Sequence, residues 1–148
     1  YDLEGEVSEE SYVIPFAEAS VLRDGDDVSI VTYGMMVGKA IAAATILAKE
    51  GVECEVIDLR TLSPIDMETV IESVENTGRL VVVDEANPRC SIATDVSAQV
   101  AQQAFKSLKA QIEMVTAPHT PVPFTTTLEN LYIPSAEQIV VAVRKTLN

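Results

Sequence analysis

Short apolar runs alternate with longer, periodically apolar segments along most of the chain. A continuous run is typical of a strand that is buried on both faces of a parallel sheet. The clearest run is Leu-Val-Val-Val at residues 80–83. The longer segments repeat apolar residues at helical spacing, as in residues 35–50, after which Gly51 supplies a C-terminal stop. The pattern therefore predicts strands that alternate with helices.

Turn and capping signals set the bounds of these elements. Ser63, Pro64 and Asp66 are expected to be the N-cap, the first residue and the capping-box carboxylate of one helix. Ser91 and Ser135 are expected to cap two others. The predicted strands are 19–22, 27–33, 52–59, 80–83 and 112–115, and the predicted helices are 35–50, 64–75, 92–108 and 136–147.

This alternation predicts a three-layer α/β/α domain with a five-stranded, mostly parallel sheet and one antiparallel edge strand. A turn at Gly25, a residue able to take a positive φ, separates the first two strands, so that if these strands pair, the pairing is antiparallel. Residues 1–17 are acidic and lack periodicity, so we expect a linker there and one domain over residues 18–148. Prolines between residues 118 and 123 predict an extended crossing after the last strand.

The chain carries a net charge of −13 over 148 residues. This charge argues against nucleic acid and anionic membrane as partners, and it is compatible with a basic protein partner or with solubility alone. No apolar run reaches the roughly 18 residues that suggest a membrane span. Cys54 and Cys90 show neither metal spacing nor a CxxC motif, which fits a reducing, cytoplasmic location.

Polar and aromatic residues follow the predicted strands. Because parallel strands end at the same edge of a sheet, we expect these residues to gather there. The residues alone predict no nucleophile with a partner base, no metal site and no paired carboxylates, and therefore no self-sufficient active site. The candidate ligand or subunit-interface edge consists of Tyr33, Gly34, Arg60, Thr61, Glu85 and His119.

Several of these candidates also have a purely structural interpretation. Gly34 and Gly38 flank a strand-to-helix turn that could receive an anion, but close packing of helix against sheet is the favoured interpretation. Glu85 is favoured as a helix cap. His119, the only histidine, lies in a proline-rich loop and is favoured as a surface or hydrogen-bonding residue.

Three segments carry a resemblance to a known family: VTYG at residues 31–34, VIDLRTLSP at 56–64 and LVVVDE at 80–85. They are similar to the C-terminal domain of the β subunit of thiamine-diphosphate-dependent 2-oxoacid dehydrogenases, and PVPF at 121–124 continues the match. The loops NPRCS and PHTP, which begin at Asn87 and Pro118, are most similar to the acetoin dehydrogenase branch. The resemblance implies the transketolase C-terminal fold, and it implies that residues 1–17 link it to an N-terminal pyrimidine-binding domain.

The resemblance also implies a parent oxidoreductase that cleaves acetoin or decarboxylates a 2-oxoacid and passes the acyl group to a lipoyl-acyltransferase. Thiamine diphosphate and magnesium would be held by an α subunit and by the other β domain, so this fragment would bind neither and would be inactive alone. The implied partners are the α subunit, a second β subunit in a heterotetramer, and the basic subunit-binding domain of the acyltransferase. The candidate docking residues for the acyltransferase are Arg144, Lys145 and Asn148.

Two alternatives remain open. One is a C-terminal domain of the transketolase or deoxyxylulose-phosphate synthase type, which shares the fold. The other is a free-standing α/β domain that binds an organic anion near Gly34 and Arg60. The acidic, linker-like start of the chain favours a domain of a longer protein. These residues do not determine the choice among acetoin, pyruvate and branched-chain 2-oxoacids.

Overall fold

The computed structural model describes residues 5–148, and residues 1–4 of the predicted linker lie outside this range. A short 3-10 helix, Phe105–Ser107, lies between the third helix and the fifth strand. In chain order the strands and helices are β1 Ser20–Arg23, β2 Val28–Thr32, α1 Met36–Ala48, β3 Cys54–Asp58, α2 Met67–Thr77, β4 Leu80–Asp84, α3 Ile92–Gln103, β5 Glu113–Thr116, α4 Thr126–Tyr132 and α5 Ala136–Leu147.

The strands form one five-stranded sheet in the order β1-β3-β2-β4-β5. The prediction of a mostly parallel sheet with one antiparallel edge strand is confirmed, since only β1 runs antiparallel to its neighbour. Strand β1 pairs antiparallel with β3 and not with β2, so the turn at Gly25 does not close a hairpin. Gly25 also has no positive φ. It is needed because a Cβ atom there would lie 2.3 Å from the carbonyl carbon of Cys54, where the turn crosses the start of β3.

Helices cover both faces of the sheet and create two separate hydrophobic cores. Val28 and Ile30 lie in the core beneath α1 and α5, whereas Val31 lies in the core beneath α2 and α3. Successive strand residues face opposite sides of a sheet, so both sides of the central strands must be apolar. This double burial explains the continuous apolar runs and confirms the three-layer architecture.

The helix after β3 begins later than the capping pattern predicts. Met67 is its first residue, and Asp66 is its N-cap, with Oδ1 accepting the Thr69 backbone N–H at 3.1 Å. Ser63 therefore does not cap this helix. The other oxygen of Asp66 accepts the Ala19 backbone N–H at 2.8 Å. This contact spans 47 positions and adds a tertiary hydrogen bond to the cap that Asp66 already makes locally with Thr69.

Two further differences concern the second half of the chain. Helix α3 ends at Gln103 rather than at residue 108. After it, the backbone N–H of Lys109 donates to the Gly78 carbonyl at 2.8 Å and ties the chain to the end of α2. Helix α4 was not predicted, and none of its residues is buried. The caps at Ser91 and Ser135 are confirmed, and each belongs to a complete capping box.

Candidate functional site

The four parallel strands end at the same side of the sheet, which we call the carboxyl edge. In the order in which the strands lie in the sheet, β3, β2, β4 and β5, the connections after them carry Thr61, Tyr33, Glu85 and His119. Neighbouring strands lie about 4.8 Å apart, so these positions form a row along one edge. The structure thus places these predicted residues along one edge.

The centre of this row is closed by a hydrogen bond. The connections after β2 and β4 lead to opposite faces of the sheet, and open α/β sheets bind ligands in the crevice at such a point. Here the Tyr33 hydroxyl donates to Asp84 Oδ1 at 2.7 Å, and Asp84 is completely buried. Side chains from the ends of β2 and β4 are therefore hydrogen-bonded to each other at this point.

Asp84 holds three parts of the domain together. In addition to the Tyr33 hydroxyl, its carboxylate accepts the backbone N–H groups of Ala86 at 2.8 Å and Ala93 at 3.2 Å. Ala93 lies in the first turn of α3, so the carboxylate of Asp84 caps a backbone N–H of this helix. The capping role predicted for Glu85 therefore belongs to Asp84. Glu85 itself is exposed. Alternation along the strand turns these two carboxylates to opposite sides.

Tyr33 and Cys54 are both protonated at neutral pH and are chemically quiet. Burial, reinforced by the hydrogen bond to Asp84, raises the pKa of the Tyr33 hydroxyl well above its ordinary value. Tyr33 is therefore a phenol at neutral pH and acts as a donor, not as a general base. Burial also raises the pKa of the Cys54 thiol to about 12, which leaves it protonated and unreactive.

The two glycines near the start of α1 differ in what they require. Gly34 has a φ of +58°, a left-handed conformation that favours glycine. A Cβ atom on Gly38 would meet nothing within 4 Å. A Cβ atom on Gly34 would meet nothing within 4 Å either, so close packing against the sheet, the favoured interpretation for this pair, is wrong for both glycines. The exposed position of Gly38 leaves the first turn of α1 open to an approaching partner.

Thr61 and Asp66 fasten the start of the domain to the connection after β3. Thr61 Oγ1 accepts the backbone N–H of Ala17 at 2.9 Å, two residues before the Ala19 contact to Asp66. Burial alone would raise the pKa of Asp66, but the hydrogen bonds from Ala19 and Thr69 outweigh it and hold the pKa below its ordinary value. The neighbouring Arg60 is exposed, with a positive φ of 54°.

An open cleft of about 610 Å³ lies beside the first turn of α3. Tyr33, Cys90 and Asp95 are among its lining residues. No sequence pattern indicates Cys90 or Asp95 as cleft residues, because this segment is positioned by the contacts of Asp84 with Ala86 and Ala93. The carboxylate of Asp95 disfavours an anion at this helix start, although the helix dipole would favour one. The anion-binding alternative gains no support here.

The residues of the carboxyl edge do not suit the cofactor that the resemblance implies. A magnesium ion that holds a diphosphate needs several oxygen ligands. Within residues 5–148, no group of three His, Cys, Asp or Glu side chains is placed to hold a metal ion. The carboxylate of Asp84 is already engaged by three donors. No step of thiamine chemistry is therefore assigned to this chain.

Apolar side chains are exposed along the same edge. Met35 and Leu62 follow β2 and β3, and Val122 and the fully exposed Phe124 follow β5. Helix α4, which has no buried residue, carries the exposed Leu128 and Leu131. A seven-residue helix without a buried face is marginal in water. Exposed apolar surface of this kind is typical of contacts with other protein surfaces.

The three predicted docking residues lie at the far end of the molecule. Arg79, which precedes β4, donates through Nε to the Thr146 carbonyl at 2.8 Å, so the end of α5 lies near the edge where the parallel strands begin. Arg144 pairs with Glu50 at 2.6 Å and Lys145 with Glu113 at 3.3 Å. Asn148 donates through Nδ2 to the Arg144 carbonyl at 3.0 Å. The structure thus separates these residues from the carboxyl edge.

None of the helices in the described part of the chain is long and apolar enough to cross a membrane.

The chain is similar to β subunits of two kinds of oxidoreductase. It is 73% identical to the acetoin:2,6-dichlorophenolindophenol oxidoreductase subunit beta of Cupriavidus necator over 99% of this chain and 44% of that protein. It is 44% identical to the pyruvate dehydrogenase E1 component subunit beta of Bacillus subtilis over 96% of this chain and 43% of that protein. The chain thus spans less than half the length of these relatives.

A structural likeness and a family model agree with the fold. A solved split-gene transketolase, described as an inactive beta4 tetramer, superposes with a TM-score of 0.81 and 29% identity over 97% of this chain and 45% of that one. Residues 17–139 match the family model for the C-terminal domain of transketolase. The chain therefore belongs to the transketolase C-terminal domain family.

Proposed function

We propose that this chain is the C-terminal assembly and docking domain of the β subunit of a thiamine-diphosphate-dependent acetoin dehydrogenase. The observation that carries the proposal is the 73% identity to an acetoin oxidoreductase β subunit over nearly the whole chain. The pyruvate dehydrogenase β subunit of Bacillus subtilis is much less similar, at 44%. We also propose a reducing, cytoplasmic compartment, with which the free thiols of Cys54 and Cys90 are compatible.

The geometry supports assembly rather than catalysis as the work of this domain. Tyr33 and Asp84 close the only crevice that the topology of residues 5–148 favours for a ligand. Apolar side chains such as Phe124, in the connection after β5, are exposed. We therefore assign the carboxyl edge, including Arg60 and His119, to contact with the remainder of the β subunit and with the α subunit of a heterotetramer.

We further propose that the end of α5 docks the basic subunit-binding domain of an acyltransferase, which would receive the acyl group on its lipoyl arm. The net charge of −13 supports a basic partner. Arg144 and Lys145 are themselves basic and already paired with Glu50 and Glu113. The attraction to a basic partner would therefore come from the carboxylates around Arg144 and Lys145, with Asn148 at the edge of the docking surface.

The second candidate function is a transketolase-type C-terminal domain. It is favoured by the superposition on the split-gene transketolase, at 29% identity. The acetoin proposal rests on a far higher identity. In both cases the domain would contribute to assembly, so the two candidates differ in the substrate of the parent enzyme.

The parent enzyme decides between these candidates. The full-length β subunit would be combined with its α subunit, thiamine diphosphate and magnesium, and reduction of dichlorophenolindophenol would be followed with acetoin, pyruvate and a branched-chain 2-oxoacid. We expect turnover with acetoin and much slower turnover with the oxoacids. Preference for a 2-oxoacid would overturn the acetoin proposal, and transfer of a two-carbon unit between sugar phosphates would favour the transketolase type. Omission of the α subunit is the control.

A further inference from the structure

The chain before β1 changes character at one position. Residues 5–16 are all exposed, and their exposed side chains include the apolar Tyr12, Val13 and Phe16. We call residues 5–16 the strap. Ala17 is the first described residue that is half-buried, and β1 begins shortly after it, at Ser20. The folded domain therefore starts directly after the strap, and the strap itself belongs to neither core.

Two side chains hold the chain where the strap ends. Thr61 Oγ1 accepts the Ala17 N–H at 2.9 Å, and Asp66 Oδ2 accepts the Ala19 N–H at 2.8 Å. Both acceptors lie in the connection between β3 and α2, far from the strap in sequence. A single hydrogen bond would leave the chain free to pivot, whereas two fix its direction. The two contacts therefore set where the strap leaves the domain.

The backbone on both sides of the first contact has an unusual conformation. Ala17, which donates, has a φ of 55°, and Arg60, which precedes the acceptor Thr61, has a φ of 54°. Residues other than glycine rarely adopt this left-handed conformation, and they keep it where the surrounding contacts determine it. The hydrogen bond from Ala17 to Thr61 joins these two turns. It therefore helps to determine the path of the chain on both sides.

Asp66 holds a helix as well as the end of the strap. Its Oδ1 accepts the Thr69 N–H at 3.1 Å and caps α2, while its Oδ2, which binds Ala19, also accepts the Thr69 hydroxyl at 2.7 Å. The lowered pKa of Asp66 keeps the group ionised at neutral pH, so both oxygens act as acceptors. One carboxylate thus holds Ala19 and the first turn of α2. If it turns away, both contacts are lost together.

We propose that Thr61 and Asp66 form a two-point latch for the strap, and that the Asp66 carboxylate couples release of the strap to opening of the first turn of α2. With the latch closed, the strap leaves the domain beside the carboxyl edge in one direction. With the latch open, the strap swings away and α2 lacks its N-cap. This inference goes beyond the proposed function, because it concerns a movement of this chain and does not depend on the substrate of the parent enzyme.

The first point of the latch is tested by limited chymotrypsin digestion of this chain, whose two cores are complete within the described residues. Cleavage after Phe16 requires the Ala17 N–H to leave Thr61, so its rate tracks the open population. Cleavage after Tyr12, inside the exposed strap, is the reference in the same molecule. In Thr61→Val the ratio of the two rates should rise about fivefold, whereas Thr61→Ser, which keeps the hydroxyl, should stay within about twofold of the original. A ratio that does not change in Thr61→Val overturns the latch.

Hydrogen exchange tests the coupling through Asp66. In the unaltered chain the N–H groups of Ala19 and Thr69 should have protection factors within about threefold of each other, because one opening exposes both. Asp66→Ser and Asp66→Asn each keep a good N-cap with a single acceptor oxygen, so Ala19 should then exchange at least about tenfold faster than Thr69. Unequal protection in the unaltered chain, or an Ala19 N–H that stays protected in both variants, overturns the coupling. Circular dichroism checks that each variant is folded, and acetoin turnover by the parent enzyme is scored separately.

Discussion

Replacement of Asp84 by alanine is expected to lower the free energy of unfolding by about 3–5 kcal/mol. The substitution removes a completely buried carboxylate that accepts hydrogen bonds from the Tyr33 hydroxyl and from the backbone of Ala86 and Ala93. The Ala93 N–H would then be left without a partner in the interior, and the Tyr33 hydroxyl and the Ala86 N–H would lose their partner at part-buried positions. Urea unfolding at neutral pH, followed by circular dichroism, measures the loss.

The matched control for this substitution is Asp95→Ala. Asp95 is also a carboxylate near the start of α3, but it is exposed and its side chain contacts only Gln99, at 3.3 Å. Its replacement should cost about 1 kcal/mol or less. Tyr33→Phe should lie between the two, because Asp84 would keep its two backbone donors. Equal losses for the two aspartates would contradict the role given to Asp84.

The second large effect is expected from a single added methyl group. In Gly25→Ala the new Cβ would lie 2.3 Å from the carbonyl carbon of Cys54 and 2.6 Å from the Glu55 nitrogen. Both atoms belong to the backbone of β3, which cannot yield without disturbing the sheet. We expect a loss of about 3 kcal/mol in the free energy of unfolding, again measured with urea.

The same substitution at Gly38 should have the opposite sign. Its Cβ would meet nothing within 4 Å, and alanine loses less conformational entropy than glycine when a helix forms. Gly38→Ala should therefore stabilise the chain by about 0.5–1 kcal/mol. If Gly25→Ala were tolerated as well as Gly38→Ala, the close crossing of the turn over β3 would be wrong.

Much of the fold follows from the apolar pattern. Residues 80–83 indicate a central strand because both faces of that strand are covered, and Ser91 and Ser135 mark the starts of α3 and α5 because their caps are local. What the pattern could not predict depends on distant contacts. The true cap of α2 is held by Ala19, and the turn at Gly25 is shaped by β3.

In the candidate site, too, local patterns predict some features and distant contacts decide others. Strand ends predict that Tyr33 and Glu85 lie at one edge, and the structure places them there. Alternation requires Asp84 and Glu85 to face opposite sides, but it does not say which of them turns inward. Helix α4 was missed because it has no buried residue and hence no apolar periodicity directed at this domain's core.

The central claim is that this domain serves assembly and does not hold the cofactor of its parent enzyme. Isothermal titration of the chain with thiamine diphosphate in the presence of magnesium tests it most directly, with the reconstituted α and β subunits as the positive control. We expect saturable heat from the reconstituted enzyme and none from the chain alone. Stoichiometric uptake by the chain alone would contradict the account and would make the cleft beside Tyr33 and Cys90 the first place to look for the site.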